Sequence, residues 1–384
     1  MKNSPLSDRL LAGGFVTSLL IMAVLFLALP KTTFSEAENR VLQGLPELSW
    51  SHIWNKQFSQ ESEAFVTDHF PMRAGWVRLK SELEQLRLQR ENNGIYKGKD
   101  GHLFEKFEQP DYAKAAAYAE AVRQFAQMHA EANMTFMLAP TSIGIYPERL
   151  PWLASAYPQS KVNAFVKDQL QGSLAFLDGF DFLGSAAHNE RPVYYRTDHH
   201  WTTYGAYLAY TAYARQMGWS PMPESDFNIQ TVTDAFLGSY HTRSQFSGVK
   251  PDSIEVYLPK KPLHSTMYIA DDGTTHEELY NDSFLSKKDK YSYFLGGVHA
   301  LMTIKTELPL STNQTDKLLV IKDSYAHSML PFLTSHVREL HVIDMRYYNG
   351  NISEYMKEND IHNVLFLFNT ATFLESSELL KLGA

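Results

Sequence analysis

The chain contains no cysteine, which excludes disulfide frameworks, thiolate zinc sites and a Cys nucleophile. It has no surplus of positive charge either. Its 35 Lys and Arg stand against 43 Asp and Glu, for a formal charge of -8, and no basic run breaks the pattern. Nothing therefore supplies the basic face that a nucleic-acid binder needs for phosphate contacts. Internal repeats and low-complexity segments are also missing. One further absence is local: Leu10 to Pro30 holds no charged residue, and an uncharged run of that length can cross a bilayer core as a helix. What is present is a chain of 384 residues with 44% hydrophobic and 20% charged residues, enough for a large core in one large domain or two smaller ones.

Lys2 and Arg9 precede the apolar run, while Lys31 and then Glu36 and Glu38 follow it. The positive bias lies before the segment, which orients the remainder away from the cytoplasm. A cleaved signal peptide is the competing reading, but the run is long for one and no clean A-x-A site follows. The expectation is an uncleaved anchor over residues 1–31, with the N-terminus cytoplasmic. A polar tether follows over 32–55, and then an extracytoplasmic body over 56–384.

Apolar residues recur at helical spacing from Arg73 to Arg90 (Trp76, Leu79, Leu83, Leu86) and from Tyr112 to Ala130 (Tyr118, Val122, Phe125, Met128), predicting amphipathic helices. Short apolar runs at Thr135–Leu138, Val193–Tyr195, Leu318–Ile321, Leu340–Ile343 and Val364–Phe368 read as buried strands. Strands alternating with helices predict an α/β fold with a doubly wound, mainly parallel sheet. Residues 236–310, richer in turns and Tyr, are expected to form an insertion or lid with some antiparallel strands.

Open α/β sheets bind ligands beyond the carboxyl ends of their strands, and here those ends are polar. The runs lead respectively to Thr141 and Ser142; to Asp198, His199 and His200; to Asp323 and Ser324; to Asp344 and Arg346; and to Asn369. In KLLVIKDSYAHS, Ser324 follows a strand and precedes a helix, where a hydroxyl can meet both a base and backbone oxyanion donors. Such a serine is more often an N-cap. TDHHWT adds an imidazole to take the serine proton and a carboxylate to orient it. The bland reading of that motif is a polar turn in which Asp198 caps the helix beginning near Thr203 and Trp201 packs beneath it. A metal site is the other reading, but adjacent histidines lack the i, i+4 spacing of helical ligand pairs.

SEAENR at Ser35–Arg40, GKDGHLF at Gly98–Phe104, PTSIGIYPERLP at Pro140–Pro151, TDHHWT, KYSYFLGG, KDSYAHSMLPFL and IDMRYY together resemble the DHHW proteins, relatives of the alginate O-acetyltransferases in the SGNH-hydrolase superfamily. The resemblance implies an SGNH-like fold whose motifs run in the order Asp, His, Ser, as in a circular permutation. It places Asp198, His200 and Ser324 in a catalytic triad and leaves His199 at the variable position of a D-x-H-W pattern. It also offers Arg346 as a binder of acyl donor or glycan, against a structural role as an ion-pair partner. More weakly it suggests Asn369, Gly297 of GGVH and Tyr347 as oxyanion or substrate contacts. Where the family pattern has GGNH, this chain has Val298, so an oxyanion hole here rests on backbone donors such as the Ser324 N–H.

The function implied is acyl transfer through an acyl-serine to a cell-surface glycan, with no cofactor. A multi-pass membrane acyltransferase partner would supply the acetyl groups. An esterase with the same triad, and a non-catalytic glycan-binding or scaffold subunit, are the alternatives.

Overall fold

The computed structural model describes residues 6–35, 40–87, 89–308 and 314–383. Lys2, Glu36, Glu38 and most of SEAENR lie outside the described residues, as does the Leu86 side chain. Two compact units divide the chain: residues 1–89 with 245–247, and residues 90–244 with 248–384.

The first unit begins with α1 (Leu6–Ala28), none of whose residues is buried and which is long and apolar enough to cross a membrane. Two further helices follow, α2 (Gln57–Asp68) and α3 (Arg73–Leu86). Within this unit Phe65 of α2 packs edge-on against Phe26 of α1, with ring centroids 6.1 Å apart. In the stretch expected to be a plain tether, a short pairing joins Phe34–Ser35 to Arg40–Val41, and a single helical turn covers Trp50–Trp54.

The second unit is mixed α/β. Its elements include α4 (Tyr112–Met128), β1 (Asn133–Ala139), α5 (Gln159–Leu170), β2 (Ala175–Asp178), α6 (Thr203–Gln216), β3 (Phe227–Phe236), β4 (Asp252–Pro259), β5 (Ser265–Ile269), β6 (Thr274–His276), β7 (Leu301–Thr306), β8 (Thr315–Lys322), β9 (Val337–Ile343), α7 (Ile352–Glu358) and β10 (Asn363–Asn369). An 8-stranded sheet runs β6-β5-β7-β9-β8-β10-β1-β2. From β9 to β2 every neighbouring pair is parallel, whereas β7, β5 and β6 continue the sheet as an antiparallel wing.

The parallel strands are near-continuous apolar runs such as Leu318–Ile321 and Val364–Phe368, fully buried, as strands covered on both faces must be. Register places Asn369 opposite Ala139 and Lys322 opposite Leu367. The residues that follow β1, β8, β9 and β10 therefore share one rim.

Two differences from the sequence reading bear on the site. Val193–Tyr195 is not a sheet strand; it makes only an isolated bridge, Tyr194 to Trp201. Its apolar side chains are buried, so hydrophobicity marked burial while the backbone remained in a loop. Within 236–310, β5, β6 and β7 extend the main sheet, and β4 pairs with β3 in a separate two-stranded sheet.

Candidate active site

Ser324 stands immediately beyond β8, at the start of a short 3₁₀ turn over Ser324–Ser328. The cap of that turn is Asp323, whose carboxylate accepts the Tyr325 N–H at 2.9 Å. The Ser324 hydroxyl is thereby spared the capping role that a serine at a strand-to-helix junction usually fills. It meets His200 Nε2 at 2.7 Å. On the other side of the imidazole, Nδ1 lies 2.5 Å from Asp198 Oδ1. His200 and Asp198 are buried, while Ser324 remains partly exposed. Ser324 is thus the member of the trio that a solute can reach.

Asp198 is held from several directions. Oδ1 also accepts the His200 N–H at 3.0 Å, and Oδ2 accepts the Ser239 N–H at 2.7 Å. Burial would raise this carboxyl, but His199, His200 and the Ser239 amide outweigh it and hold the group well below the ordinary carboxylate range. Asp198 does not cap α6; Thr202 does, accepting the Gly205 N–H at 3.2 Å.

Only glycine fits beside Asp198 at position 238, where a Cβ would lie 2.3 Å from both Cβ and Oδ2 of the aspartate. The loop is fastened again one residue upstream. Asp252, at the start of β4, accepts the N–H groups of Arg196 (3.1 Å) and Thr197 (2.8 Å), the Thr197 hydroxyl (2.7 Å) and Arg196 Nε (3.1 Å). Sequence reasoning missed Asp252. Nothing in PDSIEVYL distinguishes it from any aspartate before a strand.

Two aromatic residues join the histidine loop to the serine turn. Trp201 is fully buried and donates its indole N–H to the Tyr325 carbonyl at 2.9 Å and to Ser328 Oγ at 3.1 Å. Tyr325 donates its hydroxyl to the His199 carbonyl. Tyr291, whose place beside the base the sequence did not reveal, lies with its ring against the imidazole of His200.

His199 points elsewhere: its side chain is about a third exposed and Nδ1 meets Ser239 Oγ at 2.7 Å. Partial burial and the neighbouring imidazole of His200 lower its pKa. Candidate ligand atoms of Asp198, His199 and His200 lie within 4.8 Å of one another, near enough to share an ion. Both ring nitrogens of His200 are nevertheless bonded to protein oxygens, and a metal would have to displace those bonds.

The remaining rim residues separate by role. Asn369 donates from Nδ2 to Asp323 Oδ2 (2.8 Å) and Thr372 Oγ1 (2.6 Å), while Oδ1 accepts the Thr372 N–H. Both protons of its amide are engaged, which leaves none to aim at an oxyanion. Asp323, buried beneath, has its pKa raised by that burial against the pull of the Asn369 and Tyr325 N–H groups.

Arg346 forms a two-point pair with Asp344, at 2.8 and 2.6 Å, and Asp344 also meets the buried Lys322 Nζ at 3.0 Å. The guanidinium keeps about a third of its side-chain surface exposed. Tyr347 beside it is exposed. Gly297 adopts φ +100, a conformation that side chains disfavour, and Val298 after it is exposed.

A family model described as "DHHW protein" matches residues 111–343. Among curated proteins nothing matches. Of solved structures, a DHHW family protein from Eubacterium siraeum DSM 15702 is 24% identical, covering 76% of this chain and 95% of its own, with a TM-score of 0.65. Bacillus cereus PatB1, solved with a sulfonyl adduct, is 18% identical over 76% of this chain and all of its own (100%), with a TM-score of 0.62. The O-acetyltransferase domain of Pseudomonas putida AlgJ is 17% identical over 73% of this chain and 92% of its own, at a TM-score of 0.44. The first two of these likenesses speak for a shared fold, and fold by itself does not assign chemistry.

Proposed function

This chain belongs to the DHHW family, and from that premise we propose that it is a membrane-anchored O-acyltransferase that acetylates a cell-surface polysaccharide through an acyl-serine. One observation carries the reading: partly exposed Ser324 has its hydroxyl 2.7 Å from His200 Nε2, with Asp198 2.5 Å from the opposite nitrogen. That is the spacing at which a base can take a serine proton while a carboxylate fixes its tautomer.

In the first half-reaction Ser324 Oγ attacks the acyl carbonyl and gives its proton to His200 Nε2. Asp198 holds Nδ1–H and stabilises the imidazolium. Collapse of the tetrahedral adduct breaks the bond to the leaving group, which takes the proton from His200. In the second half-reaction a glycan hydroxyl loses its proton to His200, attacks the acyl-serine and leaves as the ester, while Ser324 recovers its proton. The developing oxyanion calls for donors on the serine turn, and the Ser324 N–H is our candidate. We assign Asn369 to holding Asp323 rather than to the oxyanion. Arg346, fixed by Asp344, is our candidate for contacting the donor or the glycan, with Gly297 and Tyr347 as secondary candidates.

Water in place of the glycan would make the same site an esterase, and the family resemblance is what favours transfer. The proposed topology places α1 across the membrane with the catalytic body outside the cytoplasm. A multi-pass membrane acyltransferase is the proposed acetyl source. The order Asp198, His200, Ser324 along the chain accords with a permuted SGNH arrangement.

The test uses a chromogenic acetyl ester with and without surface oligosaccharides. Wild type should transfer acetyl to sugar faster than to water, and a sulfonyl fluoride should label Ser324 in peptide mapping. Ser324→Ala and His200→Ala should each abolish chromophore release with the fold intact, since nucleophile and base act as a unit; His199→Ala should do much less. Free acetate as the sole product across a panel of glycans would establish the esterase instead. No release at all, with glycan binding kept in Ser324→Ala, would establish a binding subunit.

A further inference from the structure

Tyr291 comes from the 3₁₀ turn Lys290–Tyr293 and is buried. Its ring lies nearly parallel to the His200 imidazole, with centroids 3.6 Å apart and planes 11° from each other. Its hydroxyl lies 3.0 Å from Ser328 Oγ and donates to the carbonyl of Ser324 at 3.3 Å. One side chain thus touches the face of the base and the backbone of the nucleophile. The His199 ring sits 3.7 Å from His200, centroid to centroid. Two rings at such distances cannot share a face, so the imidazole is enclosed between Tyr291 and its own neighbour. Core packing would explain the burial of Tyr291. It does not explain why a ring is laid flat on the one imidazole that bonds Ser324.

We propose that Tyr291 is a positioning residue for acyl transfer, whose ring fixes the plane of His200 and whose π face stabilises the imidazolium formed as Ser324 loses its proton. The inference rests on the acyl-serine reading given above. A cation over an aromatic face is attracted by the ring quadrupole, more strongly when water is excluded. The neutral imidazole before proton transfer gains little from that face. The interaction is therefore differential and acts on kcat rather than on substrate binding. The other groups around His200 are Asp198, which favours the charged form, and His199 and His327, whose protonation would disfavour it; Tyr195 and Tyr325 lie nearby.

The experiment combines conservative and electronic substitutions with the full chain in detergent. Tyr291→Phe keeps the ring and should retain kcat within about threefold. Tyr291→Leu should lower kcat roughly tenfold at unchanged KM and move the basic group in the pH profile to lower pH, since loss of the π face disfavours the protonated form. Should Tyr291→Leu fail to fold, fluorinated phenylalanines at position 291 keep the shape of the ring while draining charge from its face. Log kcat should then fall steadily with fluorine number.

A flat response to fluorination, or Tyr291→Leu with wild-type kcat and pH profile, would overturn the inference while leaving the acyl-serine mechanism standing. Equal losses in Tyr291→Phe and Tyr291→Leu with no pH displacement would also overturn it, because the hydroxyl alone would then matter. Activity that survives in Ser324→Ala is a distinct failure, that of the reaction itself.

Discussion

The indole N–H of Trp201 bonds the backbone carbonyl of Tyr325 at 2.9 Å, so the last residue of DHHW is tied to the residue after the candidate nucleophile. The 2.7 Å contact between His200 and Ser324 depends on two loops that are far apart in sequence, and this bond is one of the few direct ties between them. Trp201→Phe keeps much of the buried ring but leaves the Tyr325 carbonyl and Ser328 Oγ without that donor. We expect a loss of about 1–3 kcal/mol in stability. Activity should fall severalfold even where the protein remains folded. Urea denaturation and acyl-transfer assays on the same preparation check this, and a variant with unchanged kcat would show that the tie is dispensable.

Gly238→Ala tests the seat of the carboxylate. A Cβ there would meet Asp198 Cβ and Oδ2 at 2.3 Å, so the aspartate or its loop must move. Displacing an orienting group by about 1 Å costs on the order of a hundredfold in rate. The expected result is a large drop in kcat with a modest change in midpoint of unfolding. Full activity in Gly238→Ala would mean that the position of Asp198 does not matter.

Acid should begin to destabilise the body above the ordinary carboxylate range. His102, His327 and His341 are buried, and burial holds each below the ordinary histidine value: His102 to about 3, His341 to about 4, and His327 well below it with Lys322 adding to the effect. The unfolded chain binds protons at these positions once pH falls below about 6.5, while the native state does not. Stability is therefore whole above that value and declines as pH drops towards the native-state values, by on the order of 1 kcal/mol per pH unit for each histidine. Denaturation curves at pH 7.5, 6 and 5 measure it. Stability that holds level or rises over that range would contradict the assignment of these imidazoles as neutral.

The proposed anchor has its own test. With α1 across the membrane and the body outside the cytoplasm, protease added to intact spheroplasts should degrade residues beyond about Pro30, and the mature protein should keep its N-terminal helix. A protected body, or a mature N-terminus near Thr32, would reverse the topology or replace the anchor with a signal peptide.

By itself the sequence determined what local pattern can encode. The uncharged run became α1, and the runs at Thr135–Leu138, Leu318–Ile321, Leu340–Ile343 and Val364–Phe368 became β1, β8, β9 and β10, because two-sided burial demands continuous apolar side chains. DHHW and KDSY, with the other shared motifs, carried the resemblance to the family that the family model bears out. Val193–Tyr195 shows the limit: its apolar residues are buried as a strand's would be, yet only one bridge forms, since hydrophobicity reports burial and not pairing. Antiparallel strands were expected within 236–310, but that β5, β6 and β7 extend the main sheet stayed illegible because their patterns are short and their partners distant. What only the tertiary structure decided was company. It set His200 Nε2 2.7 Å from Ser324, spent the Asn369 amide on Asp323, and laid Tyr291 flat on the imidazole. Asp252 fastens the loop from more than fifty residues away. Contacts between residues so distant along the chain leave no periodicity and no spacing behind, and they exist only once the fold has brought them together.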